Sequence, residues 1–266
     1  MDTLELETMR CEVDGPLGRL RLNRPEALNA ANWAWVKDLV TATNYLARQT
    51  GLHVVIVGGE GRAFCSGLDV KELAEGHLTR EWFATWERGV VGLAELNAIT
   101  IAAIQGYCLG GGLQVALACD LRIASDNAVL SIPAVKEGVV AALGPMRLAR
   151  LIGAGPAKQL CFLGRRFSAE QGLALGLISE VVTAPAALEE RARALADELL
   201  AIPFTALRQT KRQIDRAFDQ DTPALLAEML DAQDDCLRSP EHATVMQEYR
   251  EAQARRSEQK RQRPTR

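Results

Sequence analysis

Apolar positions follow two rhythms along the first two-thirds of the chain. Trp35, Leu39, Ala42 and Leu46 recur at helical spacing, which predicts an amphipathic helix over residues 32–48. A second such helix is expected over residues 82–96. Between them, His53-Val54-Val55-Ile56-Val57 is a β-branched run bounded by Gly51 and Gly58, the mark of a buried strand. Residues 99–104 and 121–124 read the same way. Gly18-Arg19-Leu20-Arg21-Leu22 alternates until Asn23-Arg24-Pro25 breaks it. Residues 112–119 carry no charge and predict a helix buried all round. Strands separated by helices imply parallel crossovers in an α/β layered core. Past about Gly144 the strand signals fade, and residues 187–200, 206–218 and 223–237 read as helices. The expectation is an α/β unit over residues 1–200, then a helical region over residues 201–266, with no internal repeat.

A length of 266 residues allows one large domain or two small ones. Lys and Arg total 31 against 34 Asp and Glu, a net charge of −3, which argues against nucleic acid as the main partner. No run of about 18 apolar residues occurs, so no membrane partner is expected. The opening MDTLELETMRCEVDG alternates charge with apolarity and lacks the blocks of a secretory signal. Cys11, Cys65, Cys108, Cys119, Cys161 and Cys236 form no CxxC pair, and His53, His77 and His242 are scattered, so no metal site is expected. Most of these cysteines sit in apolar runs and read as small buried hydrophobes, which fits a reduced, cytoplasmic setting. Residues 250–266 hold seven basic and two acidic groups, 7 − 2 = +5. This end reads as a solvated helix fraying into a tail, with a phosphate-binding arm as the sharper alternative.

Two strand-to-helix junctions carry the candidate chemistry. One is Gly61-Arg62-Ala63-Phe64-Cys65-Ser66-Gly67-Leu68-Asp69-Val70-Lys71, the other Gly106-Tyr107-Cys108-Leu109-Gly110-Gly111-Gly112-Leu113-Gln114. Glycine permits close backbone approach, and a helix start exposes unpaired N–H groups with partial positive charge. Two such turns meeting in space place two donors on one oxygen, the requirement for stabilising an enolate or thioester oxyanion. Competing motifs are missing: no G-x-G-x-x-G after a strand, no GK[ST] ending, no G-x-S-x-G elbow.

At these residues the chain resembles the crotonase superfamily, the enoyl-CoA hydratase/isomerase-like proteins. The likeness rests on Leu22-Asn23-Arg24-Pro25 with Leu28-Asn29-Ala30, on residues 63–69, on Gly106-Tyr107 with Gly110-Gly111-Gly112, on residues 119–124 and on residues 174–178. It implies a spiral of ββα turns, a C-terminal helical region that trimerises, a homotrimer or hexamer, and an acyl-CoA substrate with no separate cofactor. It further implies that the Leu68 and Gly111 amides form the oxyanion hole. Ala63, Ser66, Leu68, Asp69, Val70, Lys71, Gly111 and Ala134 would then contact substrate.

The chain departs from the family where hydratases carry two glutamates. Those positions hold Gln114 and Ala134, and the site of a third acid used by related enzymes matches Ala142. Glutamine orients a water but takes no proton near pH 7, and alanine does neither. Glu137 is the candidate replacement: apolar Val135, Val139 and Val140 flank it, and such surroundings raise a carboxylate's pKa. The alternative for Glu137 is a surface or intersubunit ion pair with Lys136 or a neighbour. Asp69 reads as a cap for the following helix. Trp82 and Trp86, one turn apart, read as core or pocket wall. His77 and His242 read as solvated. Lys211 and Arg212 read as a solvated basic face, with a CoA phosphate as the alternative partner.

Overall fold

The computed structural model describes residues 1–75, 77, 79–218, 231, 234–240, 242–244, 247, 251 and 255. The chain divides into two compact units, Met1–Leu199 and Leu200–Arg266.

The first unit opens with β1 (Asp2–Glu5) and β2 (Met9–Asp14), an antiparallel pair, followed by β3 (Leu17–Leu22). In β2, Met9, Cys11 and Val13 are buried while Asp14 is exposed and Arg10 and Glu12 lie between, the two-residue period of a half-buried strand. Helix α1 (Trp33–Ala47) starts at Asn32, whose side chain accepts the Trp35 N–H at 2.9 Å. All four of its expected inward positions are buried.

Three strand–strand–helix turns follow. The first is β4 (Val54–Gly59), β5 (Ala63–Cys65), α2 (Val70–Ala74) and α3 (Arg80–Ala94). The second is β6 (Ile99–Ile104), β7 (Tyr107–Leu109) and α4 (Gly111–Ala118). The third is β8 (Leu121–Ser125), β9 (Val129–Ser131), α5 (Gly144–Ile152) and α6 (Ala154–Leu163). The first strand of each turn joins one parallel run, in the order β3-β4-β6-β8. The second strands pair in a separate sheet, β9-β7-β5. Then come β10 (Phe167–Ser168), α7 (Ala169–Ala174), β11 (Glu180–Val182) and α8 (Leu188–Leu200). β10 pairs with β9, and β11 extends the large sheet beside β8.

These turns are the ββα spiral that the resemblance implies. The repeat is one of backbone path, and its second strands of three residues are too short to show alternation. The fading of strands past Gly144 fails, since β11 completes the seven-stranded sheet. The buried helix over residues 112–119 is α4, in which every residue is buried. Its last turn is tied down by Arg122, a buried cation that donates to the Cys119 carbonyl at 2.6 Å and to the Leu177 carbonyl at 2.7 Å. A cation at a helix C-terminus also matches the helix dipole.

The second unit contains α9 (Phe204–Asp215). Lys211 on it is buried, contrary to the solvated face expected, whereas Arg212 is exposed. Most of the expected helix over residues 223–237 and most of the basic tail lie outside the described residues. No helix among the described residues is long and apolar enough to cross a membrane.

Candidate active site

The two glycine turns meet backbone to backbone. Gly67 sits at φ +101, and a Cβ there would lie 2.9 Å from the Leu109 carbonyl oxygen and 3.5 Å from the Gly111 nitrogen. A Cβ on Gly112 would fall 2.2 Å from the Cys65 carbonyl oxygen. Any side chain at these points would push the start of α4 away from the end of β5. The glycines are thus a consequence of contact between the two turns.

The first turn is fixed from below. Ala31 N–H donates to Gly67 O at 2.8 Å, and Asp69 N–H donates to Ala31 O at 3.0 Å, so bonds flank Leu68 on both sides. Asn29, fully buried at φ 57, donates through Nδ2 to the carbonyls of Glu60, Ala63 and Phe64. Its Oδ1 accepts the Arg24 N–H at 2.8 Å. Asparagine is among the few residues that tolerate this left-handed conformation. Arg24 Nη1 in turn bonds Asp69 Oδ2 at 2.7 Å, and Asp69 Oδ1 caps α2 at the Lys71 N–H, 3.0 Å away. Burial alone would raise the Asp69 carboxyl. The Arg24 bond, the Lys71 N–H and both cations outweigh it and hold the pKa below the ordinary carboxylate value.

A cavity of about 70 Å³ opens where the turns meet. Leu68 and Gly111 both line it, and neither main-chain N–H has an acceptor among the described residues. Gln114, Ala134, Ser66 and Glu137 line it as well. One wall is aromatic: Trp82, Phe83 and Trp86 from α3. Trp86 stacks between Trp35 at 5.3 Å and Trp82 at 5.6 Å, all three buried. Its ring covers Gly111 so closely that a Cβ there would meet it at 2.7 Å. Trp82 and Trp86 are therefore pocket wall and core at once. Pro133, Ala134 and residues 139–142 line it too, with Ala142 in the left-handed region at φ 41.

Buried Gln114 has an amide oxygen with no hydrogen-bond partner among the described residues, and the indole nitrogens of Trp82 and Trp86 share that condition. Glu137 is the one ionisable side chain among the residues lining the cavity, but it is exposed. The apolar enclosure expected around it is not there. Nor does Lys136 turn to it, since its Nζ donates to Gly164 O at 2.7 Å. Cys65, beneath the first turn, has its thiol pushed up to about 12 by burial, partly offset by the Gly67 N–H, and is no nucleophile at neutral pH.

Several sequence-marked residues stay out of the cavity. Ala63 is buried within β5, Asp69 serves as the expected cap, and Lys71 is exposed on α2. Val70 opens α2, and its side chain lies outside the described ones. His77 is exposed as expected, while His242 is half-buried. Five of the six cysteines are buried and Cys236 is intermediate. Val139 and Val140, marked in the sequence as apolar neighbours of Glu137, are pocket wall, whereas neither spacing nor chemistry marks Ala141 before the fold brings it there.

Paired strand-to-helix turns on a ββα spiral, with free amides on one apolar cavity, define the crotonase class of fold. The sequence places the chain within that class: the enoyl-CoA hydratase/isomerase family matches residues 13–260, and the chain belongs to it. It is 38% identical over 218 residues to the Mycobacterium bovis protein named "Probable enoyl-CoA hydratase echA8", covering 80% of this chain and 83% of that one. The crystal structure of an enoyl-CoA hydratase from Bacillus anthracis is similar at a TM-score of 0.86, with 29% identity over 92% of this chain and 97% of that one. A Thermobifida fusca protein in complex with acetoacetyl-CoA is similar at 0.77, with 29% identity over 85% and 93%.

Proposed function

We propose that the protein is an enzyme on acyl-CoA thioesters that stabilises an enolate or tetrahedral oxyanion with the Leu68 and Gly111 amides. The observation that carries this reading is the pair of unengaged N–H groups from separate turns lining one apolar cavity. Family membership and the acetoacetyl-CoA complex of a similar protein support the ligand class.

Two donors on the thioester oxygen acidify the α-carbon, because charge leaving the C–H bond settles on that oxygen. The proton then needs a base. Gln114 and Ala134 cannot serve, so the two-carboxylate hydration of the family's hydratases has no machinery here. A single carboxylate is sufficient for a proton shuttle. It takes a proton from the α-carbon, the double bond shifts through the enolate, and the same carboxyl returns the proton at the γ-carbon. Glu137 takes that role in this proposal, and Gln114 holds a water or the acyl group by hydrogen bonds. With Gln114 orienting a water, thioester hydrolysis is the alternative turnover. The chemistry requires no cofactor beyond the CoA of the substrate. We also propose assembly into a homotrimer or hexamer, since α5 and α6 leave Met146, Leu151, Phe162 and Leu163 exposed.

The exposure of Glu137 favours a second reading, an acyl-CoA-binding protein without turnover. A panel of enoyl-CoA and saturated thioesters separates the two. The enzyme reading expects turnover that falls ~10²–10⁴-fold in Glu137→Gln. Binding without turnover across the panel, unchanged in Glu137→Gln, rejects it in favour of the second.

A further inference from the structure

Outside the cavity, Glu87 joins both of its walls. It follows Trp86 on α3, and its side chain is 19% exposed, against 13% for Arg147 on α5. Glu87 Oε2 accepts from Arg147 Nη2 at 2.8 Å, and Oε1 accepts from Arg147 Nη1 at 3.3 Å. The same Oε1 accepts the main-chain N–H of Leu143 at 2.8 Å. Leu143 is the residue from which α5 starts, and no side chain of its own segment caps that end. Glu87 therefore performs from another helix the task that a glutamate in the first turn performs in a capping box. Its negative charge also meets the positive end of α5.

The position of that bond matters. Residues 139–142, immediately before Leu143, line the cavity together with the tryptophans. Ala142 within it holds φ 41, a conformation that an alanine adopts only when its surroundings impose it. Just after Leu143, Gly144 packs on Gln114, where a Cβ would come within 2.8 Å of Cγ. One carboxylate thus fixes the apolar wall, the strained alanine and the helix start that abuts the Gln114 side chain.

We propose that Glu87 and Arg147 are positioning residues: they hold residues 139–142 and the start of α5 against α3, and so set the shape of the acyl end of the site. This inference rests on the acyl-CoA reading above. Neither side chain lines the cavity, so they act through the wall.

The test is calorimetric binding of butyryl-CoA and of free CoA to the full-length wild type, Glu87→Ala, Glu87→Gln, Arg147→Met and Arg147→Lys, with thermal midpoints measured in parallel. Loosening the wall should weaken butyryl-CoA by about tenfold or more in Glu87→Ala and Arg147→Met, leaving free CoA within about twofold. Glu87→Gln keeps an acceptor for Leu143 and should recover most of the affinity. Should Glu87→Ala fail to fold, Glu87→Gln against Arg147→Met carries the same contrast. A parallel fall for CoA and butyryl-CoA, or a fall in thermal midpoint alone, overturns the positioning role. Equal affinity of the wild type for butyryl-CoA and free CoA, or binding of neither, overturns the acyl-CoA reading itself and this inference with it.

Discussion

Replacing Gly67 by alanine perturbs the contact between the two turns with a single methyl group. Two costs follow from the geometry. At φ +101 an alanine is strained, at about 1–2 kcal/mol for an L-residue in left-handed backbone. Its Cβ would also sit 2.9 Å from the Leu109 carbonyl oxygen and 3.5 Å from the Gly111 nitrogen. The second is ordinary contact, but the first is a clash with backbone, so Leu109 at the end of β7 must retreat, and the Gly111 amide two residues on is carried with it. An oxyanion donor that has moved out of line costs up to the ~10²–10³-fold measured for loss of one donor. The strain alone should lower stability by about 1–2 kcal/mol, a midpoint shift of roughly 2–8 °C. The chemical effect should be larger than the thermal one. The assay is turnover of the best thioester of the panel at a temperature where the variant is folded by circular dichroism, beside a thermal melt. A variant that melts early but turns over at the wild-type rate would refute the link between this contact and the chemistry.

Restoring carboxylates should restore hydration: Gln114→Glu with Ala134→Glu is expected to raise crotonyl-CoA hydration by ~10²–10⁴-fold, and no gain would show that the cavity places these positions away from the acyl carbons. Arg24→Met should lower stability by about 1–2 kcal/mol at neutral pH through the lost Asp69 bond. The Asp69 pKa is depressed in the fold, so its contribution is present above the unfolded value of about 3.9 and is lost as pH falls through the folded value. The difference between wild type and Arg24→Met in denaturant titrations should therefore narrow as pH falls below about 4, leaving what the Arg24 bond to the Ala30 carbonyl contributes, and a constant difference there would reject the Asp69 pairing as its source.

The long elements were legible in the chain because their apolar residues repeat often enough to fix a period. Helices α1, α3 and α4 and strands β4, β6 and β8 lie within a few residues of the expected spans. β1 and β2 lie outside the expected elements, although Met9, Cys11 and Val13 alternate with charged residues along β2. The second strand of each turn was invisible for a physical reason: Ala63–Cys65 is a strand only because Tyr107–Leu109 from the next turn pairs with it. At the site, the glycine turns pointed to Leu68 and Gly111 because glycine reports close approach. Glu87 and Arg147 gave no such signal, since a carboxylate and a guanidinium sixty positions apart look solvated until the fold joins them.

The measurement that bears most directly on the two amides is the infrared carbonyl stretch of butyryl-CoA labelled with ¹³C at the thioester carbon. When the substrate binds, two strong donors on one oxygen should move the stretch to lower wavenumber, and Gly67→Ala should reverse part of that shift. A bound carbonyl absorbing where the free thioester does would contradict the account.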